Sequence, residues 1–355
     1  MTVYCATQPA IRHTTTAAKL RVGLVGFGYW GPNLARNIAA HPMTELSAIA
    51  DRSPGRLGAA ALAYPSACLT LEATNVVDDP ELDVIVIATP PETHRDLALA
   101  ALRAGKHVLV EKPLATSTRD AVELVLAARD AQRQLLIDHT FLFTGAVRRM
   151  KSCIDSGDLG RINYFDSTRI NLGLFQSQVN VLWDLAPHDI AIMLYLLGSP
   201  VRAVSAFGAS HVNSCSENIA YVTAIFDDNV LAHFHVNWLA PVKIRKTIIG
   251  GTRRMLVYDD MESSEKLKIY DSGAELVSTQ DDVYRTFMEY RTGDILVPKL
   301  DRTEPLAVEW DHVVRVIHGE AEPISGGAFG VEVVRVLEAA QRSMRSGGVP
   351  VEVAR

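Results

Sequence analysis

From Leu20 the chain alternates short runs of aliphatic and β-branched residues with longer stretches of helical periodicity. Leu20 to Val25 predicts a buried strand, followed by the glycine-rich turn Gly26-Phe27-Gly28-Tyr29-Trp30-Gly31. Pro32 is well placed in a first helical turn and opens a helix running to about Ala40. Leu46 to Ala50 predicts the second strand. Val84 to Ala88, an unbroken Val/Ile run, predicts a third, of the kind found where both faces of a parallel sheet are covered. Glu92 to Ala104 predicts a helix stopped by Gly105, His107 to Val110 a strand, Ser117 to Arg133 a helix, and Leu135 to Asp138 a last strand. Strands alternating with helices in this way imply βαβ units and a parallel sheet.

After about Thr140 the pattern changes. A helix over Gly145 to Ser156 leads to a strand near Ile162 to Ile170, and the apolar stretch Trp183 to Leu197 predicts a helix ended by Gly198. Four strand-like runs follow: Val201 to Gly208, Ile219 to Phe226, Val230 to Trp238 and Ile244 to Ile249. His233, His235 and Asn237 alternate with Ala232, Phe234, Val236 and Trp238, the period of a sheet with two unlike faces. The expected fold is an α/β Rossmann domain with a parallel sheet, followed by an α+β domain with a mostly antiparallel, open-faced sheet. The expected divisions are a flexible extension over 1–18, a cofactor domain over 19–140, and a substrate and oligomerisation domain over 141–355.

Composition narrows the function. The chain has 355 residues, 48% of them hydrophobic, which suits two domains. Its 35 basic and 41 acidic residues give a net charge of −6, against the basic excess of a nucleic-acid binder. No apolar run reaches the roughly eighteen residues needed to span a bilayer, and the stretch Met1 to Lys19 lacks the apolar segment of a secretory signal. The four cysteines, Cys5, Cys68, Cys153 and Cys215, lie far apart with no CxxC pair and no histidine at metal-ligand spacing. A cytoplasmic protein with reduced structural thiols, no metal, and neither nucleic acid nor membrane as partner is the expectation.

Gly26, Gly28 and Gly31 form G-x-G-x-x-G between a strand and a helix. The first glycine makes the tight turn, the second lets a diphosphate approach the backbone, and the third lets helix pack on strand. Asp51 follows twenty residues after Gly31 at the end of the second predicted strand. A carboxylate there bonds the adenosine ribose hydroxyls and repels a 2′-phosphate, which favours NAD. The alternative role for Asp51 is to cap the helix after Pro54, and Arg52 beside it could accept the phosphate of NADP.

Two further constellations carry chemistry. Glu111-Lys112-Pro113 ends a parallel strand on the side where α/β sheets place their ligands. Lys112 is either a solvated cation or an ammonium that polarises a substrate hydroxyl and stabilises the alkoxide. Asp184 and His188 stand four residues apart on one face at the start of an apolar helix. Histidine suits removal of a hydroxyl proton near neutral pH, and a carboxylate one turn away can orient it. A histidine bonded to a backbone carbonyl is the alternative.

The segments Ile87-Ala88-Thr89-Pro90-Pro91-Glu92-Thr93-His94, Gly105-Lys106-His107-Val108-Leu109-Val110-Glu111-Lys112-Pro113-Leu114-Ala115 and Asp184-Leu185-Ala186-Pro187-His188-Asp189 closely resemble the Gfo/Idh/MocA oxidoreductase family. The resemblance covers nearly the whole chain from Leu20 and departs from many members at Ala186 and Asp189. It implies that Lys112 and His188 are catalytic with Asp184 as partner, and that the C-terminal sheet has an open face for dimer or tetramer contacts. With the turn residues Gly26 to Gly31, Asp51 and Arg52, it makes Thr89, Pro90, His94, Glu111 and Lys112 cofactor-binding candidates. Arg169-Ile170-Asn171-Leu172-Gly173 and Asn180-Val181-Leu182-Trp183-Asp184 look like members from sugar-nucleotide and aminosugar pathways. That implies a sugar substrate oxidised or reduced at a ring secondary carbon, C3 in particular. Arg169 and Asn171 join Lys112, Asp184 and His188 as substrate-binding candidates, with Arg253 and Arg254 as further candidates for a phosphate. The rival readings are a cyclitol dehydrogenase, such as one for inositol, and a non-catalytic cofactor-sensing regulator.

Overall fold

A computed structural model describes residues 19–173, 179–212, 216–277 and 287–354. The expected extension over 1–18, Cys5 and Cys215 lie outside the described residues.

The first half is β1 (Leu20–Val25), α1 (Gly31–Ala40), β2 (Thr44–Ala50), α2 (Pro54–Ala63), β3 (Cys68–Thr70), α3 (Ala73–Val77), β4 (Val84–Ile87), α4 (His94–Arg103), β5 (His107–Glu111), α5 (Thr118–Asp130) and β6 (Leu135–Asp138). Its strands form one parallel six-stranded sheet in the order β3-β2-β1-β4-β5-β6. Every residue of β4 is buried, because helices cover both faces. The order reverses between β1 and β4, so the chain leaves these two strands in opposite directions and opens a crevice at their carboxyl ends. β3 and α3 carry no signal in the sequence; a three-residue strand is too short to show a period.

The second half is α6 (Gly145–Asp155), β7 (Ile162–Leu172), α7 (Val181–Leu197), β8 (Ala203–Ala209), β9 (Ile219–Ile225), β10 (Leu231–Asn237), β11 (Leu239–Gly251), β12 (Met255–Asp259), β13 (Leu267–Tyr270), β14 (Gly273–Val277), β15 (Phe287–Arg291), β16 (Ile295–Leu296), α8 (Pro305–Ile317), α9 (Gly327–Arg345) and β17 (Val351–Glu352). Its nine-stranded sheet runs β16-β13-β12-β11-β7-β10-β9-β8-β17 and is antiparallel except where β7 meets β10. The alternation in β10 is realised in space. Ala232, Phe234 and Val236 are buried in the core under α7, while Leu231 and His233 are exposed on the other face. α7 starts where the Asn180 side chain accepts the Trp183 N–H at 3.2 Å, and ends at Gly198, whose φ of 65° needs a residue without Cβ penalty.

The chain beyond β16 returns to the first sheet. Leu306, Trp310, Val313 and Val314 of α8 share a core with Val22, Leu24 and Leu34. α9 splits its apolar residues, with Val331 and Val334 in the core under the first sheet and Val333, Leu337 and Ala340 in the core of the second. The two sheets are thus held by a helix whose two faces are both apolar, which fixes the crevice between them.

Candidate active site

A cleft of about 880 Å³ runs from the glycine turn to the start of α7. At its first end Gly26 has a φ of 100°, and a Cβ there would lie 2.5 Å from the Ala88 carbonyl oxygen. A Cβ on Gly31 would lie 2.2 Å from the Gly26 carbonyl oxygen, so only glycine lets α1 sit this close to the turn. α1 has no capping side chain and no acidic residue in its first turn, which leaves the positive end of the helix for an anion. Gly28 and Trp30 line the cleft, with Tyr29 exposed at its lip. Phe27 does not line it: its ring is buried in the core, and its N–H donates to Asp51 Oδ2 at 2.7 Å.

Asp51 ends β2 almost fully buried. Its other oxygen accepts the Ser53 N–H at 2.8 Å, and Arg56 approaches Oδ2 at 3.5 Å. The cap of α2 is Ser53, so Asp51 tethers the turn instead of capping the helix. Arg52 lines the cleft, as does Arg56, one turn into α2, which is not among the sequence candidates. Its place in the first helical turn after an acidic strand end was the available signal. Thr89 and Pro90 line the middle of the cleft. His94 does not. It is buried, with Nδ1 2.8 Å from the Pro113 carbonyl and Nε2 2.8 Å from the Thr89 carbonyl, and so it ties the loop after β4 to the loop after β5.

At the far end, Glu111 and Lys112 leave β5, and the Lys112–Pro113 peptide bond is cis. Lys112 Nζ donates to the backbone carbonyl of Asp184 at 3.0 Å and stands 3.8 Å from Asp184 Oδ1. Asp184 Oδ2 accepts the Trp238 indole N–H at 3.0 Å. Trp238 reads in the sequence only as an apolar position after β10; nothing short of the fold brings it to Asp184. Pro187 lies inside α7 and supplies no N–H to the Trp183 carbonyl; the carbonyl that Lys112 takes is the next one, of Asp184. His188 follows, half-buried, edge-on to Phe141 at a centroid distance of 4.9 Å. His188 does not itself line the cleft, and its Nδ1 is sealed with no partner among the described residues. Burial, then the positive charges of Lys112 and Arg169, hold this imidazole neutral well below its usual range.

Burial also pushes Glu111 up to about 8, helped by Asp138 and Asp184 and opposed by Lys112. Behind it, Asp138 accepts the Trp30 indole at 2.6 Å and the Thr140 hydroxyl. Glu309 of α8 is held protonated far above the carboxylate range, first by burial and next by the charge of Asp138.

Arg169 and Asn171, expected at the substrate, do not line the cleft. Arg169 is 4% exposed and forks onto Asp189, Nε to Oδ2 at 2.7 Å and Nη2 to Oδ1 at 2.9 Å. A guanidinium in that bidentate pair is committed to the interior and reaches the site through its charge. The Asp189 that departs from the family pattern is thus the partner of Arg169. Asn171 lies half-buried near the end of β7. Arg253 and Arg254 are remote from the cleft: Arg253 donates to the Gly157 carbonyl and Arg254 to Asp271. Among the described residues no three His, Cys, Asp or Glu side chains are grouped to hold a metal, and no helix is long and apolar enough to cross a membrane.

The oxidoreductase family with an NAD-binding Rossmann fold matches residues 20–139, and the GFO/IDH/MocA C-terminal domain matches residues 147–257. The chain belongs to the Gfo/Idh/MocA family. A putative oxidoreductase from Magnetospirillum magnetotacticum MS-1 is 29% identical, with a TM-score of 0.77 over 91% of this chain and 99% of that one. The inositol 2-dehydrogenase of Rhizobium meliloti (strain 1021) is 25% identical over 338 residues, 92% of this chain and 97% of its own. The WlbA dehydrogenase of Bordetella pertussis, solved with NADH and UDP-GlcNAcA, shares the fold with a TM-score of 0.80 at 22% identity, over 96% of this chain and all of that one. The residues of this Gfo/Idh/MocA protein fit the family's NAD: two glycine positions that a Cβ would fill, an uncapped helix N-terminus, and an acidic strand end stand along one cleft.

Proposed function

We propose that the protein is an NAD-dependent dehydrogenase or ketoreductase acting at a ring secondary carbon, C3, of a nucleotide sugar or aminosugar. Residues 19–140 serve the cofactor, and 141–355 the substrate and self-association through the open sheet face. One observation carries the reading: Lys112, from the end of β5, meets Asp184 of α7 at the end of the cofactor cleft, with His188 one turn further along. NAD, when bound, supplies the hydride acceptor. The Lys112 ammonium donates to the substrate hydroxyl and stabilises the charge that grows on its oxygen as the proton leaves. His188 is neutral at physiological pH and accepts that proton at Nε2. Asp184, fixed by the Trp238 indole, aims the ammonium. In the reductive direction the same groups return the proton.

Likeness to an inositol dehydrogenase along most of the chain favours a cyclitol as the second reading. A panel of nucleotide sugars, aminosugars and inositols, incubated with NAD and followed at the nicotinamide absorbance, separates the two. Turnover of inositols alone would replace the sugar reading. Tight NADH binding with no turnover on any member would leave a cofactor-sensing protein.

A further inference from the structure

Beside the chemical end of the cleft, outside the residues that line it, two guanidinium groups gather on one aromatic ring. Arg245 and Arg169 are register partners on β11 and β7, and both guanidinium groups lie over the Phe141 ring, 5.4 and 4.5 Å from its centroid. Phe141 is the ring against which His188 stands. Arg169 is satisfied by its fork on Asp189. Arg245 is not. Its Nη1 reaches Asp260 Oδ2 at 3.3 Å, and its Nε is sealed from solvent with no acceptor among the described residues. The side chain as a whole still keeps 29% of its surface.

Asp260 is shared. It also takes Lys266 Nζ at 3.2 Å and the Tyr258 hydroxyl at 3.0 Å, and burial keeps that phenol neutral. Two cations therefore divide one carboxylate, while Lys112 and Arg169 have one each. His188 and His139 are held neutral, and Glu111, raised to about 8, adds little charge near pH 7. The cations that act on His188 are Lys112, then Arg169 and, after His139, Arg245. A guanidinium has five N–H donors in a planar fork, and donors left unmade in a partly dry site cost free energy until an oxyanion meets them.

We propose that Arg245 is a specificity-determining residue that receives an anionic group of the substrate, either a carboxylate on the sugar ring or the diphosphate of a nucleotide sugar. The assignment rests on the sugar-oxidoreductase reading above. It gives the site a reason to prefer charged sugars over neutral ones: the ring lies at His188 and Lys112, and its anion lies one aromatic ring away on β11.

The test uses the full-length protein loaded with NADH and titrates three probes, D-glucuronate, UDP-glucose and D-glucose, reading the fluorescence of the bound NADH. One anionic probe should bind about 10- to 100-fold more tightly than D-glucose, the value of a hydrogen bond between charged partners. Tight D-glucuronate assigns the ring carboxylate, and tight UDP-glucose the diphosphate. Arg245→Met should erase the preference while NADH affinity holds, and Arg245→Lys, which keeps the charge without the fork, should retain part of it. D-glucose binding as tightly as both anionic probes overturns the proposal, as does an Arg245→Met protein that keeps the preference or a wild type that binds neither anion. NAD-linked turnover of a neutral sugar by a protein indifferent to both anions would remove the role of Arg245 and leave the dehydrogenase reading intact. Absence of turnover on the whole panel removes that reading instead.

Discussion

The two ends of the cleft are built by different rules. At the dinucleotide end the decisive contacts are short in sequence and made by backbone: the Phe27 N–H reaches a carboxylate 24 residues away, and Gly26 and Gly31 meet each other and the strand beside them. At the chemical end Lys112 reaches the backbone carbonyl of a residue 72 positions away, and the Asp184 carboxylate takes an indole 54 positions away, so that the chain just after β5 and β10 meets α7. The first end is fixed by where glycine is required. The second exists only if two sheets dock in one register, which the shared helix α9 enforces.

If that contrast is right, damage at the chemical end should remove rate and spare cofactor binding. The largest effect is expected for His188→Asn, which keeps the shape but removes the proton acceptor; kcat should fall by about a hundred- to ten-thousandfold. Because the folded imidazole is held neutral well below its usual range, the acid limb of the wild-type profile should lie below pH 6.5. Kinetics from pH 5 to 9 decide the matter: an acid limb unchanged in His188→Asn would hand the titration to another group. Lys112→Met comes next, with kcat lower by on the order of a hundredfold while the NADH dissociation constant stays close to wild type. A parallel loss of NADH binding would show that the two ends are one unit.

Stability offers a third test, because the chemical end buries imidazoles without partners. His139 is 2% exposed with neither ring nitrogen bonded among the described residues; burial, then Lys112, lowers it to about 3. Its folded value lies below the unfolded one, so its contribution is present above about pH 6.5 and is lost as pH falls toward 3. Between pH 6.5 and 5 that amounts to ~2 kcal/mol for one such histidine. Urea melts of the wild type should show the decline and those of His139→Leu a shallower one; identical slopes would place the protonation elsewhere.

The smallest effect probes the dinucleotide end. Asp51→Asn keeps an acceptor for the Phe27 or Ser53 N–H but loses the charge that faces a 2′-phosphate, with Arg56 3.5 Å away to receive it. The preference for NAD over NADP should shift by about tenfold toward NADP, measured by titrating both cofactors. Were both affinities to drop together, the tether to the turn would be the main role of Asp51, and Arg52 or Arg56 would set the preference.

Legibility in the sequence follows the same division. The glycine turn, the strands of the first sheet other than β3 and the two-faced alternation of β10 are local patterns, and each is legible from composition and period. Phe27 and His94 were named for the cofactor and lie behind its cleft, because a motif fixes the path of a backbone before it fixes which side chains face out. Arg169 is a substrate-binding candidate on the sequence. Its commitment to Asp189 joins β7 to α7 across the core, and no spacing announces such a pair.

What the sequence determined by itself is therefore the pair of folds and the residue types at the active face, since hydrophobic period and glycine placement act over a few residues. What only the tertiary structure decided is which charges find partners. Arg169 and Lys112 are each matched by a carboxylate, Arg245 shares one with Lys266, and His188 and His139 are held neutral. Electrostatic fate depends on burial and on neighbours distant in the chain, and both come into being only when the sheets close on α9.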